Sequence, residues 1–200
     1  LLKNQLSEDQ RVYPYQATAL NRGYIPGVLD KDGKLVNFTS VCGPMIYKGP
    51  GQWHHDAFVS APEINAIKQY DLTDKSDPFA QAYEHTYKNK EFLFSKDETF
   101  RPVNLYGHPK GGFLVVDLRK GMIQHRAYMT SYLRAIIKEK KLDQTGNRGR
   151  IYRISEKGSE NHLLAFWKKG ISTEDLVQLL DHENGSMRLA AQKELIYRDN

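Results

Sequence analysis

Few side chains in this sequence stand in patterns that do chemistry, and each has a plainer reading beside it. His125 lies next to Arg126. An imidazole titrates near neutrality and so suits general-base work; the plainer role is packing or capping. His54-His55-Asp56 sets three metal-ligand types side by side, but neighbours on a strand point to opposite faces and do not converge on one ion. Asp71, Asp74 and Asp77 offer hard oxygen ligands for Ca²⁺. They lack the EF-hand spacing and its glycine and read as a solvated loop. The single cysteine, Cys42, sits in the apolar run Val41-Cys42-Gly43-Pro44-Met45-Ile46, where burial is its expected role. No metal site is expected from these patterns. Asn37-Phe38-Thr39 is a formal glycosylation sequon.

The elements that must position these groups are mostly strands. Arg101-Pro102-Val103-Asn104 leads through His108-Pro109-Lys110-Gly111-Gly112 into Phe113-Leu114-Val115-Val116, which stops at Asp117. Two β-rich runs about a Gly-bearing turn predict an antiparallel hairpin, with Phe113 to Val116 central and buried. Upstream, Asp30-Lys31-Asp32-Gly33-Lys34 is a turn signal between hairpin arms at Gly27-Val28-Leu29 and Lys34-Leu35-Val36-Asn37-Phe38. Val41 to Tyr47 is a strand, and Ala57 to Ser60 pairs with Ala66 to Tyr70 about a turn at Pro62. Glu91 to Phe94 is another strand. Short strands at this spacing predict an all-β repeat architecture.

Two segments break the β pattern. From Gln124 to Leu142, Tyr128, Tyr132, Leu133, Ile136 and Ile137 recur at helical spacing, which predicts a helical excursion before a last strand at Arg150. From Ile171 the chain reads as a helical hairpin. Ser172 is an N-cap with Glu174 and Asp175 in the first turn, where negative charge meets the helix dipole. Ser186 is the expected cap of the second helix, and Leu176, Leu180, Leu189 and Leu195 are the expected packing residues.

Composition excludes some functions. The formal charge of +5 over 200 residues is modest. The basic stretch from Arg134 to Arg153 carries no aromatic stacking module or helix-turn-helix pattern, so no nucleic-acid partner is expected. No intramolecular disulfide and no C-x-x-C-H haem attachment exist in this chain. No apolar run approaches transmembrane length. The first residue is Leu rather than Met, and the chain reads as a processed or truncated piece.

The run from Phe100 to Tyr128, with strand, Gly-Gly, aromatic-Leu-Val-Val-Asp, then Gly121-Met122-Ile123-Gln124-His125-Arg126, resembles one blade of the sorbosone/glucose-dehydrogenase-like β-propellers. More narrowly it resembles their bacterial "putative membrane-bound dehydrogenase" relatives. Arg11-Val12-Tyr13-Pro14, Asn21-Arg22-Gly23-Tyr24, Phe38 to Tyr47, and Gly149-Arg150-Ile151-Tyr152-Arg153-Ile154 carry the same resemblance in the same order. The resemblance implies a mainly β fold. Residues 1–157 would be the C-terminal part of a propeller, about two blades plus flanking strands, with a helical excursion near 124–142. Residues 158–200 would be a linker and a first HEAT-like helical repeat. A propeller closes with at least about four blades, so other blades or a completing chain are implied.

The same resemblance implies a quinone-dependent sugar or alcohol dehydrogenase using pyrroloquinoline quinone (PQQ) and Ca²⁺, linked to a cytochrome c domain outside this chain. The site would be secreted, periplasmic or at the bacterial cell surface, and this chain alone would be inactive. Arg22, Arg101 and Arg126 become the candidate cations for the cofactor carboxylates, because arginine forms planar bidentate pairs with them, and His125 the candidate base. For Arg22 and Arg101 the plainer role is hydrogen bonding to loop carbonyls. The rival function is a non-catalytic scaffold that binds glycan or protein partners in a cell-envelope complex.

Overall fold

The structure is a computed structural model that describes residues 11–17, 27–72, 83–123, 125–144, 148–157 and 170–198. The chain is mainly β, with two antiparallel sheets and three α-helices among the described residues. In the first sheet, β1 (Cys42–Ile46), β2 (Ala57–Ala61), β3 (Ala66–Leu72) and β4 (Tyr83–His85) lie side by side in chain order; β5 (Leu93–Phe94) pairs the start of β3. In the second, β6 (Pro102–Gly107), β7 (Phe113–Asp117) and β8 (Arg150–Ile154) are also in chain order.

The β2–β3 hairpin forms where the sequence changes its demands. Pro62 opens a single 3-10 turn, Pro62–Ile64, and Asn65 leaves it in the left-handed region at φ 58°. Asparagine tolerates that conformation better than most residues, and its Nδ2 is held by the Phe100 carbonyl at 2.7 Å. All five residues of β2 are buried, so this strand has no solvent face. That is why its pattern AFVSA shows no polar alternation.

The expected β6–β7 hairpin is present, with Leu105 opposite Val115 and Gly107 opposite Phe113. β7 is the middle strand of its sheet. Phe113, Val115 and Asp117 are buried, whereas Leu114 and Val116 are half-buried, so the strand has one core face. Gly112 lies at φ 69°, and a Cβ there would fall 2.0 Å from the Ile154 carbonyl oxygen; only glycine lets β8 close against this turn. The sheets share an aromatic core of Tyr47, Trp53, Phe58 and Phe113, with Phe92 against it. Phe58 and Phe113 ring centroids lie 4.8 Å apart, and such pairs add about 0.5–1.5 kcal/mol beyond burial. The Tyr47 hydroxyl accepts from Gly112 N at 2.8 Å, which stitches the first sheet to the second.

Several segments differ from expectation. The arms about Asp30 to Gly33 make one isolated bridge, Leu29 to Leu35, rather than strands; the Asp30 carboxylate nonetheless accepts from Asp32 N and Lys34 N as a turn requires. β4 was hidden in a polar stretch. The helical excursion is shorter than 124–142: a 3-10 turn at Arg126–Tyr128 precedes α1 (Ser131–Glu139). Thr130 caps α1 by accepting from Leu133 N, and Leu133 and Ile137 are its buried residues.

At the C-terminal end, α2 (Thr173–Leu179) and α3 (Gly185–Arg198) form the expected hairpin. Ser172 caps α2 through Asp175 N at 3.0 Å. The second cap is Asn184, whose Oδ1 accepts from Ser186 N at 2.9 Å; Ser186 is already inside the helix. Packing runs through Leu176, Met187 and Ala191, while Leu180 and Leu189 are 42% and 41% exposed. The hairpin docks by its turn. Asn184 Nδ2 donates to the carbonyls of His108 and Pro109, and Gly185 N donates to Lys48 O. No helix among the described residues is long and apolar enough to cross a membrane.

Candidate functional site

Arg101 enters β6 from the loop and is 1% exposed. Its backbone N–H donates to Asp117 Oδ1 at 2.8 Å. The guanidinium donates from Nε to Lys120 O at 3.0 Å, from Nη1 to Pro62 O at 2.5 Å and from Nη2 to Gly121 O at 2.9 Å. Burial pulls its pKa down to about 10, and the charges of Glu98, Glu63, Asp117 and Asp97 hold it up, so it remains a cation across the physiological range. Arg101 therefore ties the β2–β3 turn to the chain leaving β7. A carboxylate bound to this guanidinium would compete with three backbone carbonyls.

Glu63, on the same turn, is also 1% exposed. Burial pushes its carboxyl pKa up to about 7. The N–H groups of Glu63, Ser40 and Thr39, and then the Arg101 charge, offset part of that rise, although neither carboxylate oxygen reaches hydrogen-bonding geometry with a partner. The half-buried Cys42 thiol is pushed up by burial and then by the Glu63 charge, and it donates to Pro102 O at 3.8 Å. A thiol held protonated in this way is a poor nucleophile.

His125 is exposed. Its Nδ1 accepts from Ala127 N at 3.3 Å and its ring lies 5.8 Å from that of Tyr128. It thereby caps the 3-10 turn that Arg126 opens, leaving Nε2 without a hydrogen bond among the described residues. The Arg126 side chain and the whole of Arg22 lie outside the described residues. Arg101 and the His125–Arg126 turn are linked through the chain: the carbonyls that Arg101 grips belong to Lys120 and Gly121, just upstream of that turn.

His54 and His55 occupy a turn, not a strand, and their rings stack at 3.9 Å. No group of three acidic, histidine or cysteine ligands could hold a metal among the described residues. Asp74 and Asp77 fall outside them.

Two further clusters were not singled out from the sequence. The first is a latch. Lys68 Nζ, fully buried, donates to both Glu91 oxygens at 2.8 and 3.0 Å, to Arg11 O at 2.9 Å and to His85 Nε2 at 2.8 Å. Glu91 Oε1 also accepts from Tyr13 N at 2.7 Å. The rings of Phe38, Tyr13 and Tyr70 surround the ammonium at 5.1, 5.7 and 5.8 Å, close enough for cation–π attraction. One buried pair thus holds residues 11 to 13 against β3. The second is a polar cleft of about 650 Å³ on the other face of β3. Gln69 Nε2 donates to Asp56 Oδ2 at 2.8 Å, Tyr87 donates to Gln69 Oε1 at 3.2 Å, and Thr86 donates to Asp71 Oδ1 at 2.9 Å. Gln52 and Trp53 complete the wall. Asp71, expected in a solvated loop after a strand ending at Tyr70, lies instead within β3, which puts it at i+2 from Gln69 and hence on the same face.

No curated protein and no solved structure matches the chain. The model of a domain of unknown function, DUF7133, matches residues 2–158. A match over that much of the sequence takes in both sheets and the latch, the cleft and Arg101, and the chain belongs to the DUF7133 family.

Proposed function

We propose that this chain is part of a carbohydrate-directed β-propeller of the bacterial cell envelope, in which these residues serve ligand binding and assembly. Four strands side by side in chain order in the first sheet support its assignment as one blade. The second sheet, with its helical excursion, supplies most of another. The hairpin of α2 and α3 acts as a HEAT-like repeat and docks on the β6–β7 turn to begin a helical extension. The observation that carries the binding role is the division of polar groups. Arg101, Lys68 and Glu91 are buried and committed to holding loops, whereas the cleft beside β3 keeps polar atoms open to solvent. Retention of the full-length protein on immobilised cell-envelope polysaccharide, lost on competition with free sugar, tests this reading. Failure to bind any glycan while folded would overturn it.

A second reading has one observation in its favour. Arg101 fixes the carbonyls of Lys120 and Gly121 and so sets the position of the His125–Arg126 turn. In a whole quinone-dependent sugar or alcohol dehydrogenase, Arg126, with Arg22, would meet PQQ carboxylates, His125 would be the base, and Arg101 would act by positioning them. PQQ with bound Ca²⁺ would supply the two-electron oxidation, and a cytochrome c domain outside this chain would take the electrons. Full-length protein with PQQ and Ca²⁺, followed by dye reduction over a sugar panel, tests it. Undiminished turnover in His125→Ala would remove His125 from the chemistry.

A further inference from the structure

We infer that the cleft beside β3 is a binding site for a neutral carbohydrate, a proposal that rests on the glycan-binding reading and gives it a place and a ligand class. Among the described residues, the lining contains two carboxylates, Asp56 and Asp71, and no cationic side chain. Anionic ligands, including carboxylated sugars and a tricarboxylated quinone, are repelled there. The two acids share the wall with amide, hydroxyl and indole groups rather than a third metal ligand, so the chemistry is that of a hydrogen-bonding surface.

The inner wall is already ordered. Asp56 fixes the Gln69 amide by accepting from its nitrogen, and the amide oxygen accepts from Tyr87. Burial, then the charges of Asp71 and Asp56, push the Tyr87 hydroxyl up from its ordinary pKa, so it stays protonated and keeps that donor role. Among the described residues, what remains unspent is a mixed set. Asp71 Oδ2 is an acceptor, the Tyr87 oxygen retains lone pairs, and the exposed Gln52 amide has both donor and acceptor atoms. Trp53 is 8% exposed and lines the cleft, yet its indole N–H makes no hydrogen bond among the described residues. An indole N–H is a donor only, and one that still reaches solvent can donate to a ligand in the cleft. Sugar hydroxyls both donate and accept, and can meet these four groups together. The volume, about 650 Å³, lies within the range of small-ligand sites.

The test is titration of the full-length protein with D-glucose, D-galactose, maltose and D-glucuronate, read by tryptophan fluorescence and by saturation-transfer NMR. At least one neutral sugar should saturate. Asp71→Asn and Trp53→Phe should each weaken it about tenfold, the order of one hydrogen bond to a charged or buried group. Glu84→Gln, exposed on β4 and outside the cleft, should leave it unchanged. Asp71→Asn sits at the rim and tests the site even if Trp53→Phe disturbs the aromatic core. Saturation that survives both cleft variants would place the sugar elsewhere; it would overturn this proposal and leave the glycan-binding reading standing. No saturable signal in the folded protein would overturn both. Tighter binding of glucuronate than glucose, or binding lost in EDTA and restored by Ca²⁺, would overturn the neutral-ligand class.

Discussion

Replacing Glu63 with Gln should remove a pH dependence of stability and make the protein more stable above neutrality. The folded-state pKa of about 7 stands against an ordinary value of 4.5, a difference of about 2.5 units, or about 3 kcal/mol at 1.36 kcal/mol per unit. The sign is opposite to that of a salt-bridged acid. Because the folded protein holds this proton more tightly than the unfolded chain, the contribution is fully present below about pH 4.5. It is lost as pH rises through about 7 and changes no further above it. Arg101 stays charged throughout this window and adds no slope of its own. Urea denaturation of both proteins at pH 4.5, 5.5, 6.5 and 8, followed by tryptophan fluorescence, isolates the effect as their difference. The Glu63→Gln variant should gain up to about 3 kcal/mol on wild type between the two ends of the range. A difference that stays constant with pH, or wild-type stability rising relative to the variant, would refute the burial argument for Glu63.

Other substitutions probe separate parts of the fold. Arg101→Ala should cost about 3–5 kcal/mol by denaturation, because it leaves three carbonyls and the neighbouring acids without their buried cation; a cost below about 1 kcal/mol would show that those bonds are dispensable. Lys68→Met should cost a similar amount by stranding Glu91, and should speed proteolytic cleavage near Tyr13. Leu176→Ala should cost about 2–5 kcal/mol, whereas Leu180→Ala should stay within about 0.5 kcal/mol; the reverse ranking would mean that α2 packs by a different face.

The β framework was readable because its punctuation is strong. Pro62 with Asn65, and Gly111 with Gly112, mark turns whose backbone few other residues adopt, and the apolar runs between them have strand length. The helix at Thr173 was readable from its serine cap. The misses have physical causes. β4 owes its pairing to Asp71, Leu72 and Tyr70 on the neighbouring strand, and nothing in Tyr-Glu-His announces that. α3 is nearly as polar as apolar around its circumference, so Leu189 and Met187 compete as core residues on pattern alone; the docking of Asn184 on the β6–β7 turn decides in favour of Met187. The cleft and the latch share β3, whose residues KQYD alternate between the buried latch and the wall of the cleft. Lys68 and Tyr70 face one, Gln69 and Asp71 the other. A strand with polar residues on both sides reads as exposed until both coverings are known.

The latch also has a consequence for the order of events during synthesis. Tyr13 leaves the ribosome 78 residues before the Glu91 that holds it. At roughly 5–20 residues per second, that interval is roughly 4–16 s. Throughout it, the carboxylate that fastens the N-terminal segment over Lys68 has yet to be made. Covering the Lys68 face of the first sheet is therefore a late, long-range step, of the kind that high contact order slows. A nascent chain arrested between β3 and Glu91 presents an open face lined by Tyr13, Phe38 and Tyr70. Chaperone capture, or exchange of the N-terminal segment between neighbouring nascent chains, is favoured in that interval, before the buried charge pair forms.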